Sequence, residues 1–113
     1  MTKNKITGLL GIAAKGGNVS SGELAATEQI RAGRAKLVLI ARDASDNTKD
    51  RFVSMCRGHK APACSWQTKE ELGRSIGKAE RSVLVITDRG LADKIAQLLL
   101  NESEAEFYGE RER

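Results

Sequence analysis

The order of apolar patterns along this 113-residue chain predicts an α/β fold, a single-domain three-layer α/β/α sandwich around a small mixed sheet of about four strands. Three observations carry that expectation. Two short apolar runs, residues 37–41 and "SVLVIT" at 82–87, contain β-branched residues and are bounded by polar ones, as suits strands buried on both faces. Around them lie stretches with apolar residues at helical spacing, long enough to cover both faces of a sheet. The length suits one domain with a single core.

The elements follow in order. Residues 4–14 place Ile6, Leu9, Leu10, Ala13 and Ala14 on one helical face, and Gly16-Gly17 stops that helix by taking the left-handed conformation of a C-cap. "NVSS" reads as a short extended piece. Ser20 followed by Glu23 has capping-box spacing and should start a second helix that reaches Ile30 and stops near Gly33. The strand at 37–41 comes next. A third helix runs from about 46 to 58, capped by Ser45 or Asp46, with Phe52, Val53, Met55 and Cys56 as its apolar side. Pro62 opens a short strand around 63–66. Thr68 and Glu71 form a second capping box, and Leu72 and Ile76 face inward from a short fourth helix. After the strand at 82–87, Asp88 caps a last helix that carries Leu91, Ile95, Leu98 and Leu99. Beyond Asn101 the composition turns acidic, so the expected division is a body over residues 1–100 and a disordered tail over 101–113.

Composition narrows the function. Phe52, Trp66, Phe107 and Tyr108 are the only aromatic residues, so the core must be aliphatic and a base-stacking surface is not expected. The net charge is +4, but the last thirteen residues hold five Glu against two Arg, which leaves +7 on residues 1–100. A basic body with an acidic tail suits a polyanionic partner, against the plainer reading of charge kept for solubility. Cys56, Cys64 and the single His59 cannot supply a four-ligand zinc site in one chain. With no secretory signal, the thiols read as reduced cysteines of a cytoplasmic protein, Cys56 as a small buried hydrophobe. No apolar run nears the ~20 residues that span a membrane.

Catalytic signals are missing. "GRSIGK" at 73–78 has one residue too few between its glycines for a phosphate loop, follows a helix start, and lacks Ser or Thr after Lys78. No G-x-G-x-x-G follows a strand, and nothing pairs a nucleophile with a base and an orienting group. Asp43, Asp46 and Asp50 could gather a metal, but Asp43 and Asp46 are more simply strand-end and cap residues. No enzyme activity, cofactor or metal is expected.

The stretches "GELAATEQIRAGRAKLVLIARDASDNT", "TKEELGRSIGK" and "SVLVITDRGLADKI", in that order, resemble the L-seven-Ae (kink-turn-binding) ribosomal protein family, most closely its small bacterial YlxQ-like branch. The likeness spans about residues 4–100, and "AKLVLIARDAS" and "KEELGRSIGK" are its most specific stretches. The resemblance implies an α/β/α sandwich that binds structured RNA, either rRNA or kink-turn RNA, in ribosome- or translation-associated work. The protein is expected to act as a monomer. The resemblance also implies that the N-terminus of the second helix enters the kink-turn, where a Gly-x-Asn-Glu-x-x-Lys motif reads the bases.

Carried onto this chain, Gly22 fits the glycine, Glu23 follows it, and Thr27 agrees with many relatives. The rest departs: Leu24 stands for Asn, Ala25 for Glu and Glu28 for Lys. Ser45, Lys49 and Lys69 match the family's pocket for a flipped-out nucleotide. The loop "KAERS", with Lys78, Ala79, Glu80 and Arg81, matches by position but is charged where relatives often carry apolar residues. Arg42 should converge with Gly22, Lys69 and Lys78 on the RNA edge. Arg31, Arg34 and Lys36, at the far end of the second helix, read as solvated charge, and Lys3 is expected to be remote from the edge. Two alternatives stand beside RNA binding: a protein-interaction adapter that has lost the reading residues, and, more weakly, a small-ligand or nucleotide-binding enzyme on the same sandwich.

Overall fold

In the computed structural model, which describes residues 2–108, helices and strands alternate along the chain: α1 (Thr2–Lys15), β1 (Val19–Ser21), α2 (Glu23–Arg31), β2 (Leu37–Ile40) and α3 (Asp46–Gly58). They continue as β3 (Ala63–Ser65), α4 (Lys69–Ser75), β4 (Val83–Ile86), α5 (Arg89–Leu99) and β5 (Glu106–Tyr108). The strands form one mixed sheet in the order β1-β4-β2-β3-β5. β2 and β3 are parallel, and the other neighbouring pairs are antiparallel.

All residues of β2 and β4 are fully buried, so both faces of the sheet centre are covered. α2 packs with α3 against β1, β4 and β2, while α1 packs with α4 and α5, and α5 lies on β2 and β4. These are the two outer layers of the sandwich. The core between them is aliphatic, apart from Phe52 and Trp66, the two largest fully buried side chains. Cys56 and Cys64 are buried thiols, and burial pushes each up to about 12. They stay neutral near pH 7 and serve as small hydrophobes.

Most caps are local and legible. Ser45, rather than Asp46, caps α3 by accepting from Thr48 N at 3.1 Å. Thr68 and Glu71 close the capping box of α4, with both reciprocal hydrogen bonds at 3.2 Å. Asp88 caps α5 by accepting from Leu91 N at 2.8 Å. The box expected at Ser20 and Glu23 does not form. Ser20 lies inside β1, paired with Val85, and the N-cap of α2 is Gly22, which makes no side-chain cap. Long-range sheet pairing has claimed the serine.

The sheet also has five strands where about four were expected. The fifth comes from the stretch read as a disordered tail: Glu106–Tyr108 pairs with β3, and Phe107 and Tyr108 pack against the core. Trp66 Nε1 donates to Glu102 Oε1 at 3.3 Å on the same side. The physical reason is the open edge of β3, whose backbone groups gain partners when three residues of the acidic stretch lie along it. Residues 109–113 of the expected tail lie outside the described residues.

Candidate nucleic-acid interface

Strand directions decide what meets at each end of the sheet. β1, β2 and β3 run one way, and β4 and β5 run the other. The C-terminal ends of β1, β2 and β3 therefore sit together, and α2, α3 and α4 all begin there. Helix N-termini carry unsatisfied N–H groups and the positive end of the helix dipole, so this end is predisposed to anions. Gly22, Arg42, Ser45 and Lys69 all lie at this end, whereas Lys78, expected to converge with Gly22, Arg42 and Lys69, does not.

At the start of α2, Gly22 holds φ 93° and ψ 158°. That backbone conformation suits glycine because it has no Cβ. Its N–H donates to Val83 O at 3.0 Å, which ties the start of α2 to β4. Leu24, in the first turn, is 76 % exposed, and Glu28 lies exposed one turn later on the same stripe. Ala25 is half-buried. The Thr27 hydroxyl donates to Glu23 O at 2.8 Å, so it is spent on its own helix. Glu23 accepts from Thr48 Oγ1 at 3.4 Å and pairs with Arg51, joining α2 to α3. The Arg51 guanidinium in turn lies 4.9 Å from the Phe52 ring centroid.

Beside them, Ser45 is the exposed cap of α3, and Lys49 follows one turn along, half-buried and without an ion pair among the described residues. Lys69 opens α4. Its N–H donates to Asp43 Oδ1 at 2.8 Å, and its ammonium lies 3.6 Å from Glu80. Arg42 N donates to Gln67 O at 2.7 Å, while its guanidinium reaches Glu104 at 3.3 Å. Each of Arg42, Arg51 and Lys69 thus faces a glutamate. Sequence reasoning missed Arg51, Thr48 and Glu104, and no local pattern marks them.

The loop before β4 is locked to α4. Lys78 N donates to Gly73 O at 2.9 Å and Arg81 N to Lys69 O at 3.0 Å. Arg81 turns its guanidinium inward, to Ser21 Oγ at 3.1 Å and to the carbonyls of Ala79 and Glu80 at 3.3 and 2.9 Å. Ala79 and Glu80 are exposed. Lys78 does not sit beside Lys69. It lies at the C-terminal end of α4, near Gly11 and Lys15 of α1, which places it about 10 Å down the flank for a seven-residue helix. The glycines of "GRSIGK" have structural work: Gly77 takes φ 73°, and Gly73 lets the Ala79 carbonyl come closer than any Cβ would allow.

Lys3 is not remote either. It lies 3.4 Å from Glu71, in the first turn of α4. The Thr68 backbone N–H holds the Glu71 carboxyl below its ordinary value, with smaller contributions from the Thr68 hydroxyl and the Lys3 ammonium. Arg31, Arg34 and Lys36 fall at the opposite end of the sheet, where α2 ends and β2 begins. Among the described residues, no cluster of His, Cys, Asp and Glu is placed to hold a metal ion, and no helix is long and apolar enough to cross a membrane.

A model of the ribosomal protein L7Ae/L30e/S12e/Gadd45 family matches residues 4–96. The chain belongs to that family. It is 44 % identical over 91 residues to an RNA-binding protein YlxQ of Bacillus subtilis (strain 168), covering 80 % of this chain and 91 % of the relative. It is 33 % identical over 97 residues to an RNA-binding protein YlxQ of Enterococcus faecium, covering 86 % and 93 %. A solved structure of a protein of unknown function from Bacillus halodurans C has a TM-score of 0.80 at 33 % identity, over 83 % of this chain and 95 % of that one. A Giardia lamblia 15.5kD RNA binding protein shares the fold, with a TM-score of 0.72 at 24 % identity over 86 % and 83 %. The family match ends before β5, so the acidic segment that reaches Arg42 lies beyond it.

Proposed function

We propose that the protein binds structured RNA without catalysis, as a monomer, through the end of the sheet where α2, α3 and α4 begin, in ribosome- or translation-associated work. The observation that carries this reading is the convergence of three helix N-termini, with the start of α2 left without a side-chain cap. Backbone amides there can meet phosphate oxygens, and Lys49, Lys69 and Arg42 add cationic contacts beside them. Membership of the family and the RNA-binding relatives support the same partner.

Kink-turn selectivity should be weak. Leu24 and Ala25 offer no base-edge hydrogen bonds, and Glu28 repels phosphate. Backbone contacts therefore dominate, and these position RNA without reading its sequence. The exposed Leu24 favours one second reading, a protein-interaction adapter, because an apolar side chain at a helix entry suits a protein surface better than a phosphate.

Titration against an rRNA fragment and a kink-turn hairpin across a salt series tests the proposal. Each phosphate neutralised should add about 0.7–0.9 to the log–log salt slope, so three to five contacts give a steep loss. Lys69→Ala and Lys49→Ala should each cost about 1 kcal/mol, similarly across RNA sequences, and Lys78→Ala less because of its flank position. Lys94→Ala, on α5, is the control. Equal losses at every lysine, or affinity independent of salt, would refute the interface. Copurification of protein without RNA would favour the adapter.

A further inference from the structure

The opposite end of the sheet holds a second basic surface, and its charge is arranged differently. α2 and α3 end there and α5 begins, around a cavity of about 280 Å³ lined by Lys36, His59, Lys60 and Arg89 together with one carboxylate, Asp93. At the first end, Arg42, Arg51 and Lys69 are each paired with a glutamate. Lys36, Lys60 and Arg89 have no ion pair among the described residues. Arg31 and Arg57, in the last turns of α2 and α3, add exposed charge nearby.

Cations at helix C-termini complement the helix dipole, and that accounts for Arg31 and Arg57 without any partner. It does not account for the cavity. Arg89 is the first residue of α5, where the dipole disfavours a positive charge. Lys60 occupies a left-handed backbone conformation, φ 56°, just past α3, a position that glycine normally takes. His59 Nδ1 is hydrogen-bonded to Met55 O at 3.1 Å, which holds the ring at the rim of the same cavity. Of the acids at this end, Asp88 is committed to capping α5, which leaves Asp93 as the carboxylate lining the cavity.

We propose that this cavity binds a backbone phosphate of a second RNA segment, so that the protein bridges two RNA segments across its 31 × 28 × 27 Å body. The inference rests on the RNA-binding reading of the first end, which supplies the other segment. A phosphodiester fits the chemistry because one anion can be shared by a guanidinium and two ammonium groups.

The test is sequential capture. Protein is saturated on an immobilised RNA hairpin, and a second hairpin with a different label is then added. The wild-type protein should retain the second hairpin. Lys60→Gly combined with Arg89→Gln should reduce that capture about tenfold or more while leaving first-hairpin affinity within twofold. Lys60→Gly removes a charge where glycine suits the backbone, so its melting temperature should hold or rise, and lost capture is then not lost folding. Lys69→Ala should show the reverse pattern, weakening the first step. Undiminished capture by the double variant, or no second capture by a wild-type protein that binds the first hairpin, would overturn the bridge alone. Failure to bind the first hairpin would overturn the RNA reading and the bridge with it.

Discussion

Gly73→Ala adds one carbon where α4 meets the loop before β4. A Cβ at this position would stand 1.9 Å from Ala79 O and 2.6 Å from its carbonyl carbon. Both are backbone atoms, so no side chain can rotate away. The loop itself is pinned by Lys78 N to Gly73 O at 2.9 Å and Arg81 N to Lys69 O at 3.0 Å. Relief requires the loop to lift. Overpacking of this kind costs about 1–3 kcal/mol, and the two backbone hydrogen bonds contribute about 0.5–1.5 kcal/mol each when weakened. Alanine's preference for helix over glycine returns about 1 kcal/mol. The net loss is about 3 kcal/mol, which for a domain of this size lowers Tm by roughly 12 °C. Gly8→Ala on α1 is the matched comparison: nothing lies within 4 Å of its Cβ, so the helical gain is unopposed. Its Tm should rise by about 2–4 °C. Thermal melts followed by circular dichroism read both. A Gly73→Ala protein as stable as wild type would refute the close approach and, with it, the rigid seating of the loop beside Lys69.

Restoring Leu24→Asn, Ala25→Glu and Glu28→Lys together should raise discrimination between a kink-turn and a duplex of equal length. Each good base contact is worth about 1–3 kcal/mol, so a gain of tenfold or more is expected. Leu24 is 76 % exposed, so the asparagine removes no core packing; strong kink-turn selectivity in the wild-type protein would show that other residues read the RNA. Glu104→Gln should release Arg42 for phosphate. The pair is exposed and worth about 0–1 kcal/mol, so RNA affinity should rise by up to about fivefold at low salt and converge with wild type at high salt. No change at low salt would mean that Arg42 does not face the RNA. Glu71 tests acid stability. Its carboxyl is held below its ordinary value in the folded protein, so its contribution is complete above the unfolded value of about 4.3 and is lost as pH falls toward the folded one. Glu71→Gln should melt lower than wild type at neutral pH and lose less on acidification. Parallel curves would remove Glu71 from the acid transition.

Two identical sequence spacings show why part of the fold was legible and part was not. Thr68 with Glu71 and Ser20 with Glu23 have the same capping-box pattern, yet only the first forms. A cap is decided within four residues unless the chain has a better use for the same groups. Ser20 has one, because β4 offers it a ladder position opposite Val85. The tail repeats the lesson: "EFY" is too short and too embedded in acid to read as a strand, but the open edge of β3 makes it one.

The sequence by itself determined the alternation of helix and strand and the apolar residues that fill the core, whereas of the residues expected to converge on one edge Lys78 lies instead down the flank of α4. The alternation and the core follow from local periodicity. Only the tertiary structure decided which charges are neutralised. Arg42 with Glu104 and Arg51 with Glu23 join residues 62 and 28 positions apart. Lys3 reaches Glu71 across 68. Ion pairing acts over a few ångströms, and chain order does not specify distances on that scale between residues so far apart. For the same reason, the unpaired cations around Lys36, Lys60 and Arg89 could be named from the sequence but not recognised as one cavity.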